Sequence, residues 1–179
     1  MATNKQSKKI CIIKIKRTVL TGLLFAIALI LSYVENALPP LIVTVPGIKI
    51  GLSNIVVMYA LFFLGKKEAY IIAFLKSAFI LIIRSPVSAF LSLCGGVLSI
   101  TVMLMLMLIF KKKISYLIIS IMGAVFHNIG QLLAVCIIYT NIYILAYLPV
   151  LLIAGVVAGS LTTILLKLAL PAFNRLGIK

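Results

Sequence analysis

His127, Asn128 and Gln131 are the residues in this chain whose types and spacing best suit chemistry. They sit in the stretch GAVFHNIGQLLA, residues 123–134, inside a 26-residue run from 114 to 139 with no formal charge. A bilayer crossing needs about 20 apolar residues, so this run is long enough. On a helix, positions i, i+1 and i+4 fall on one side. Polar groups in a membrane core are costly and face a protein interior or a cavity. Two readings follow: hydrogen-bonding glue between helices, or a face that touches a ligand.

Other polar groups belong with these three. Helix rise puts His127 about 20 Å and Gln131 about 25 Å above the start of the run. Asn54 stands near the outer end of a second apolar segment, Lys76 near the middle of a third and Arg84 at its outer end, while Glu35 and Lys49 bound an outer loop. The expected site is an outer-half pocket of Asn54, Lys76, His127, Asn128 and Gln131, with Arg84 near a closing loop. Cations outnumber anions there, which favours an anionic ligand such as a phosphate ester or a carboxylate. The bland alternatives are snorkelling for Lys76 and a membrane-edge anchor for Arg84.

The absences narrow the chemistry. There is no G-x-x-x-x-G-K-[ST] phosphate loop. There is no Asp, and the two acidic residues are Glu35 and Glu68. Magnesium-assisted diphosphate chemistry needs carboxylates gathered round the ion, and these two glutamates are expected at opposite membrane faces. No metal or cofactor site is expected, and the chain is not expected to be an enzyme acting alone. Cys11, Cys94 and Cys136 show no metal or redox spacing.

The elements that must position these groups are membrane helices. Of 179 residues, 64% are hydrophobic and the mean hydropathy is +1.32, against about 45–50% apolar in a soluble domain. A net charge of +15 raises nucleic acid as a partner. The bases, however, flank apolar runs and do not interleave with aromatics, which is the pattern of topology-setting charge.

Residues 1–17 form a basic segment holding Lys5, Lys8, Lys9, Lys14, Lys16 and Arg17. A first span follows from 18, with Gly22-x-x-x-Ala26 and Ala28-x-x-x-Ser32 at helical spacing, where small residues let helices approach. Residues 36–49 hold Pro39, Pro40 and Pro46, which forbid a regular helix; a hairpin, a lid or an interfacial loop would fit. Short spans are expected at 51–64 and 69–83, joined by a charged turn. Ser85-Pro86 reads as a helix start, opening a fourth span to 110 with a close-contact point at Gly95-Gly96. The fifth span carries His127. The sixth holds Gly155-x-x-x-Gly159, has Pro149 as a kink or a start, and is expected to end at Leu170 before Pro171, leaving 171–179 as a tail. With the N-terminus inside, alternate spans put fourteen bases in the cytoplasm and leave two, Lys49 and Arg84, outside. The expected fold is an all-α bundle of six membrane helices over 18–170, with both ends cytoplasmic.

PGIKIGLSNI (46–55), the segment around Lys76, LSLCGGVLS (91–99), GAVFHNIGQLL (123–133) and YLPVLLIAGVVAGSLT (147–162) together resemble a bacterial family called Gx transporters, also described as heptaprenyl diphosphate synthase component I. The family is similar to the substrate-binding S components of energy-coupling factor transporters. That resemblance implies a six-helix protein of the bacterial cytoplasmic membrane that captures a vitamin-like metabolite. Its implied partners are a transmembrane coupling subunit and two ATPases. Flavins and isoprenoid or quinone precursors are the implied substrates. The A-x-x-x-A docking face of S components would correspond to Gly22, Ala26, Ala28 and Ser32. The second description implies instead a non-catalytic membrane accessory of heptaprenyl diphosphate synthesis.

Overall fold

A computed structural model describes residues 2–37, 53–110 and 114–175. Lys49 and most of the proline-rich loop lie outside the described residues, as does the Lys111–Lys113 cluster. The described residues are helical: α1 (Ala2–Ala37), α2 (Asn54–Phe63), α3 (Lys66–Ile83), α4 (Pro86–Phe110), α5 (Tyr116–Tyr139), a 3-10 helix (Ile142–Tyr147) and α6 (Leu148–Arg175). Windows in α1, α4 and α5, and a fourth running through the 3-10 helix into α6, are long and apolar enough to cross a membrane. The chain is a multi-pass membrane protein. At ten residues α2 is only about 15 Å long, half of a ~30 Å hydrocarbon core.

Local chemistry explains the boundaries. The Ser85 hydroxyl accepts from the Ser88 backbone N–H at 3.2 Å, capping α4 as the Ser-Pro pair predicts. Ser115 caps α5 by accepting from Leu117 N at 3.2 Å. Thr140 closes α5 in the left-handed region at φ 48°, and the Asn141 side chain accepts from Tyr143 N at 2.9 Å to start the 3-10 helix. Gly65, at φ 131°, makes the tight α2–α3 turn.

Two boundaries differ from the sequence expectation, and a third decides between its two alternatives. α1 is a single helix from Ala2, running through the basic segment, because Lys, Arg and Gln are good helix formers. Pro149 falls in the first turn of α6 and so starts that helix rather than kinking it. α6 does not stop at Leu170 but continues to Arg175 with Pro171 inside it. The missing Pro171 N–H removes only the bond to the Lys167 carbonyl, one turn earlier.

α5 is the centre of the packing: α4 lies along one side, α6 along another, and α2 also touches it. Glycines set these distances. A methyl group at Gly130 would come 2.9 Å from Gly95 Cα, and one at Gly95 would come 2.8 Å from the His127 carbonyl. Methyl groups at Gly155 and Gly159 would meet Val125 Cα at 2.9 Å and Ile121 Cα at 2.5 Å. Backbone therefore touches backbone at both interfaces, as small-residue faces allow. α1 packs on α2 and α3, burying Leu20, Leu24, Ala28, Ser32 and Glu35.

Candidate functional site

α2 starts partway through the bundle, and this places the polar groups. Asn54 is its first residue and Lys76 lies ten residues into α3, so each stands about 15 Å from the tight turn joining the two helices. Ser99, eleven residues before the end of α4, and His127, eleven residues into α5, stand about 16 Å from the corresponding end. The four levels coincide. They form one polar layer at about the middle of α4 and α5.

Three separate sets of hydrogen bonds lie in the layer. Lys76 Nζ donates to Ser53 Oγ at 3.1 Å. Asn54 Nδ2 donates to Ser99 Oγ at 3.2 Å, and Ser99 Oγ in turn donates to the Gly123 carbonyl at 2.7 Å. The Gln131 side-chain nitrogen donates to His127 Nε2 at 3.2 Å. Lys76, only 2% exposed, lies close enough to interact electrostatically with both His127 and Glu35. Asn54, Lys76, His127 and Gln131 are thus brought together, and none of them faces lipid.

Two other predicted site residues are not part of that cluster. Asn128 is turned towards α6, where its amide donates to the Leu151 carbonyl at 2.9 Å. Arg84 ends α3 with its side chain exposed. The proposed docking residues also divide. Gly22 and Ala26 are exposed on α1, whereas Ala28 and Ser32 are buried against the bundle. Six residues of helix separate Gly22 from Ala28, a rotation that puts the two pairs about a third of a turn apart. The four do not make one face.

Ser53, Ser99, Ser120 and Thr162 belong to the buried polar set and were not singled out in the sequence. The available signal was proximity to glycine, since Ser99 and Ser120 stand four and three residues from Gly95 and Gly123. Burial leaves work undone. Asn54 Oδ1, His127 Nδ1, Asn128 Oδ1 and Gln131 Oε1 have no hydrogen-bond partner among the described residues. The two carboxylates are far apart: Glu68 pairs with Arg17 at 3.9 Å, and Arg17 stands eighteen residues before Glu35 on α1, about 27 Å along the helix. They cannot share one metal ion.

A helical bundle with apolar spans and a buried polar layer defines a polytopic α-helical membrane protein. Within that class, residues 24–169 match the family model described as heptaprenyl diphosphate synthase component I, and the chain belongs to that family. No curated protein and no solved structure matches it.

Proposed function

We propose that this chain is a substrate-binding membrane subunit of the S-component kind, capturing a small anionic or amphipathic metabolite and powered by separate ATPases. The observation that carries the reading is the buried polar layer: a buried lysine, a histidine and two amides, with acceptor atoms left unpartnered. Intramembrane ionisable groups mark substrate and ion pathways by default. The N-terminal end of α2 lies at the same level, and the positive dipole end of a helix is what transporters with interrupted helices turn towards anionic groups. A flavin or an isoprenoid or quinone precursor has suitable chemistry. The six helical segments then cross the membrane in alternation, with both ends in the cytoplasm and the short α2 completed by the residues before it.

Binding and co-purification test this. Lys76→Met and Gln131→Leu are expected to abolish retention of a small molecule seen by native mass spectrometry, while the protein still inserts and purifies as a monodisperse species. Wild-type protein from native membranes is expected to bring down a coupling subunit and an ATPase pair; recovery of neither sinks the energy-coupling reading.

The family description favours a second reading, a non-catalytic membrane accessory of heptaprenyl diphosphate synthesis. Two glutamates about 27 Å apart leave the magnesium chemistry to a partner subunit. Chain elongation by an Asp-rich soluble synthase should then change in rate or product length when this protein is added. No change removes the accessory role.

A further inference from the structure

Beneath the polar layer lies a cavity of about 10 Å³ where α2, α5 and α6 meet, walled by Asn54, Ser120, Ala124, His127, Ala158 and Thr162 with Met58 beside them. We propose that it is a permanent hydration site: one water molecule, bound at mid-membrane, joins α2 to α6 and completes the hydrogen bonding of Asn54. This goes beyond the transport reading and does not depend on it.

The volume fits one water, which also needs two to four polar partners. Donor and acceptor bookkeeping sets the occupant's chemistry. The Ser99 hydroxyl proton is committed to the Gly123 carbonyl, so Ser99 accepts from Asn54 Nδ2. The orientation of the Asn54 amide is therefore fixed, and Oδ1 is the end left without a partner. The hydroxyl protons of Ser120 and Thr162 are also spent, each at 2.6 Å, on the Tyr116 and Ala158 carbonyls. Asn54, Ser120 and Thr162 thus offer lone pairs and no free proton, while His127, which accepts at Nε2 from Gln131, carries its ring proton at Nδ1, where it has no partner among the described residues. An apolar occupant, or none, would leave Asn54 Oδ1 buried and unsatisfied, which native structures avoid. The occupant must donate hydrogen bonds. Water brings two donors in the available volume. A monovalent cation would also suit lone pairs, but the Lys76 ammonium already acts on the His127 side of the wall, and a second positive charge there is repelled.

Solid-state NMR of the full chain in lipid vesicles tests this, with asparagine side chains labelled with nitrogen-15 and magnetisation transferred from water. The Asn54 amide signal is assigned by its loss in Asn54→Ser. Transfer to Asn54 is expected to be at least about threefold faster than to Asn128, which has an equally buried orphan oxygen but lies outside the cavity. Ala158→Val fills the space and should bring the Asn54 rate down to that of Asn128; Ala124→Val serves the same purpose if the first variant does not fold. Equal rates in the wild type, or an Asn54 rate unchanged by filling, overturn the proposal. A shift of the Asn54 signal on exchanging sodium for potassium also overturns it, in favour of an ion.

Discussion

Asn128 and Gln131 look alike in the sequence, three residues apart on one uncharged run, yet their neighbours give them different tasks. The Asn128 amide is committed to the first turn of α6 through the Leu151 carbonyl. Gln131 reaches only within its own helix, to His127, beside Gly95 of α4. Asn128→Leu is therefore expected to destabilise the bundle by about 1–3 kcal/mol, the cost of a broken buried hydrogen bond, and to leave ligand affinity unchanged. Thermal unfolding in detergent, alongside a binding assay, checks both halves; a loss of affinity without loss of stability would return Asn128 to the site. The sequence showed that these residues share a broad helix side. Which neighbour each one meets depends on helix rotation within the bundle, and a 60° difference between positions i and i+3 decides between α4 and α6. Arg84 stands at a helix end, where a side chain has no fixed inward direction, and it is exposed.

Helix interfaces were more legible than side-chain partners, because close approach needs glycine. Gly155-x-x-x-Gly159 and Gly95 stood out from spacing alone, and all three sit where a methyl group would strike backbone. Gly159→Ala should lower stability by about 1–3 kcal/mol through overpacking. Gly22 is the control: nothing lies within 4 Å of its absent methyl group, so Gly22→Ala should be neutral or stabilising by up to about 1 kcal/mol from helix propensity. Equal losses in both variants would show that the α5–α6 contact does not set the limit. The α5 terminus offers a gain instead. Thr140 holds a left-handed conformation at φ 48°, which costs a β-branched residue about 1–2 kcal/mol. Thr140→Gly should recover part of that as a higher unfolding temperature. The start of α2 was the element least legible in the sequence, since an apolar run does not reveal where regular helix begins. Asn54 heads the described helix instead of standing a turn inside it.

At the scale of the whole molecule, apolar length and charge bias carry different information. Length identifies four stretches able to cross a membrane, and hydropathy alone would stop there, because α2 is short and α3 bears Lys66, Lys67, Glu68 and Lys76. Charge bias asks for two further crossings. Fourteen of the seventeen bases fall on one side only if the α2 and α3 segments both cross, and the excess of Lys and Arg marks the cytoplasmic side. The packing is compatible with this, since α2 and α3 turn back through Gly65 and meet the longer helices at the level of Lys76 and Ser99. A native cysteine makes the orientation measurable without engineering. Cys11 is exposed on the basic part of α1, whereas Cys94 and Cys136 are partly buried within α4 and α5. A maleimide that cannot cross membranes should label Cys11 in inverted vesicles and not in right-side-out vesicles, with Cys11→Ser removing the signal. Labelling from the outside would reverse the N-terminus. It would also place the bulk of the positive charge on the outer face, against the bias from which both cytoplasmic ends are inferred.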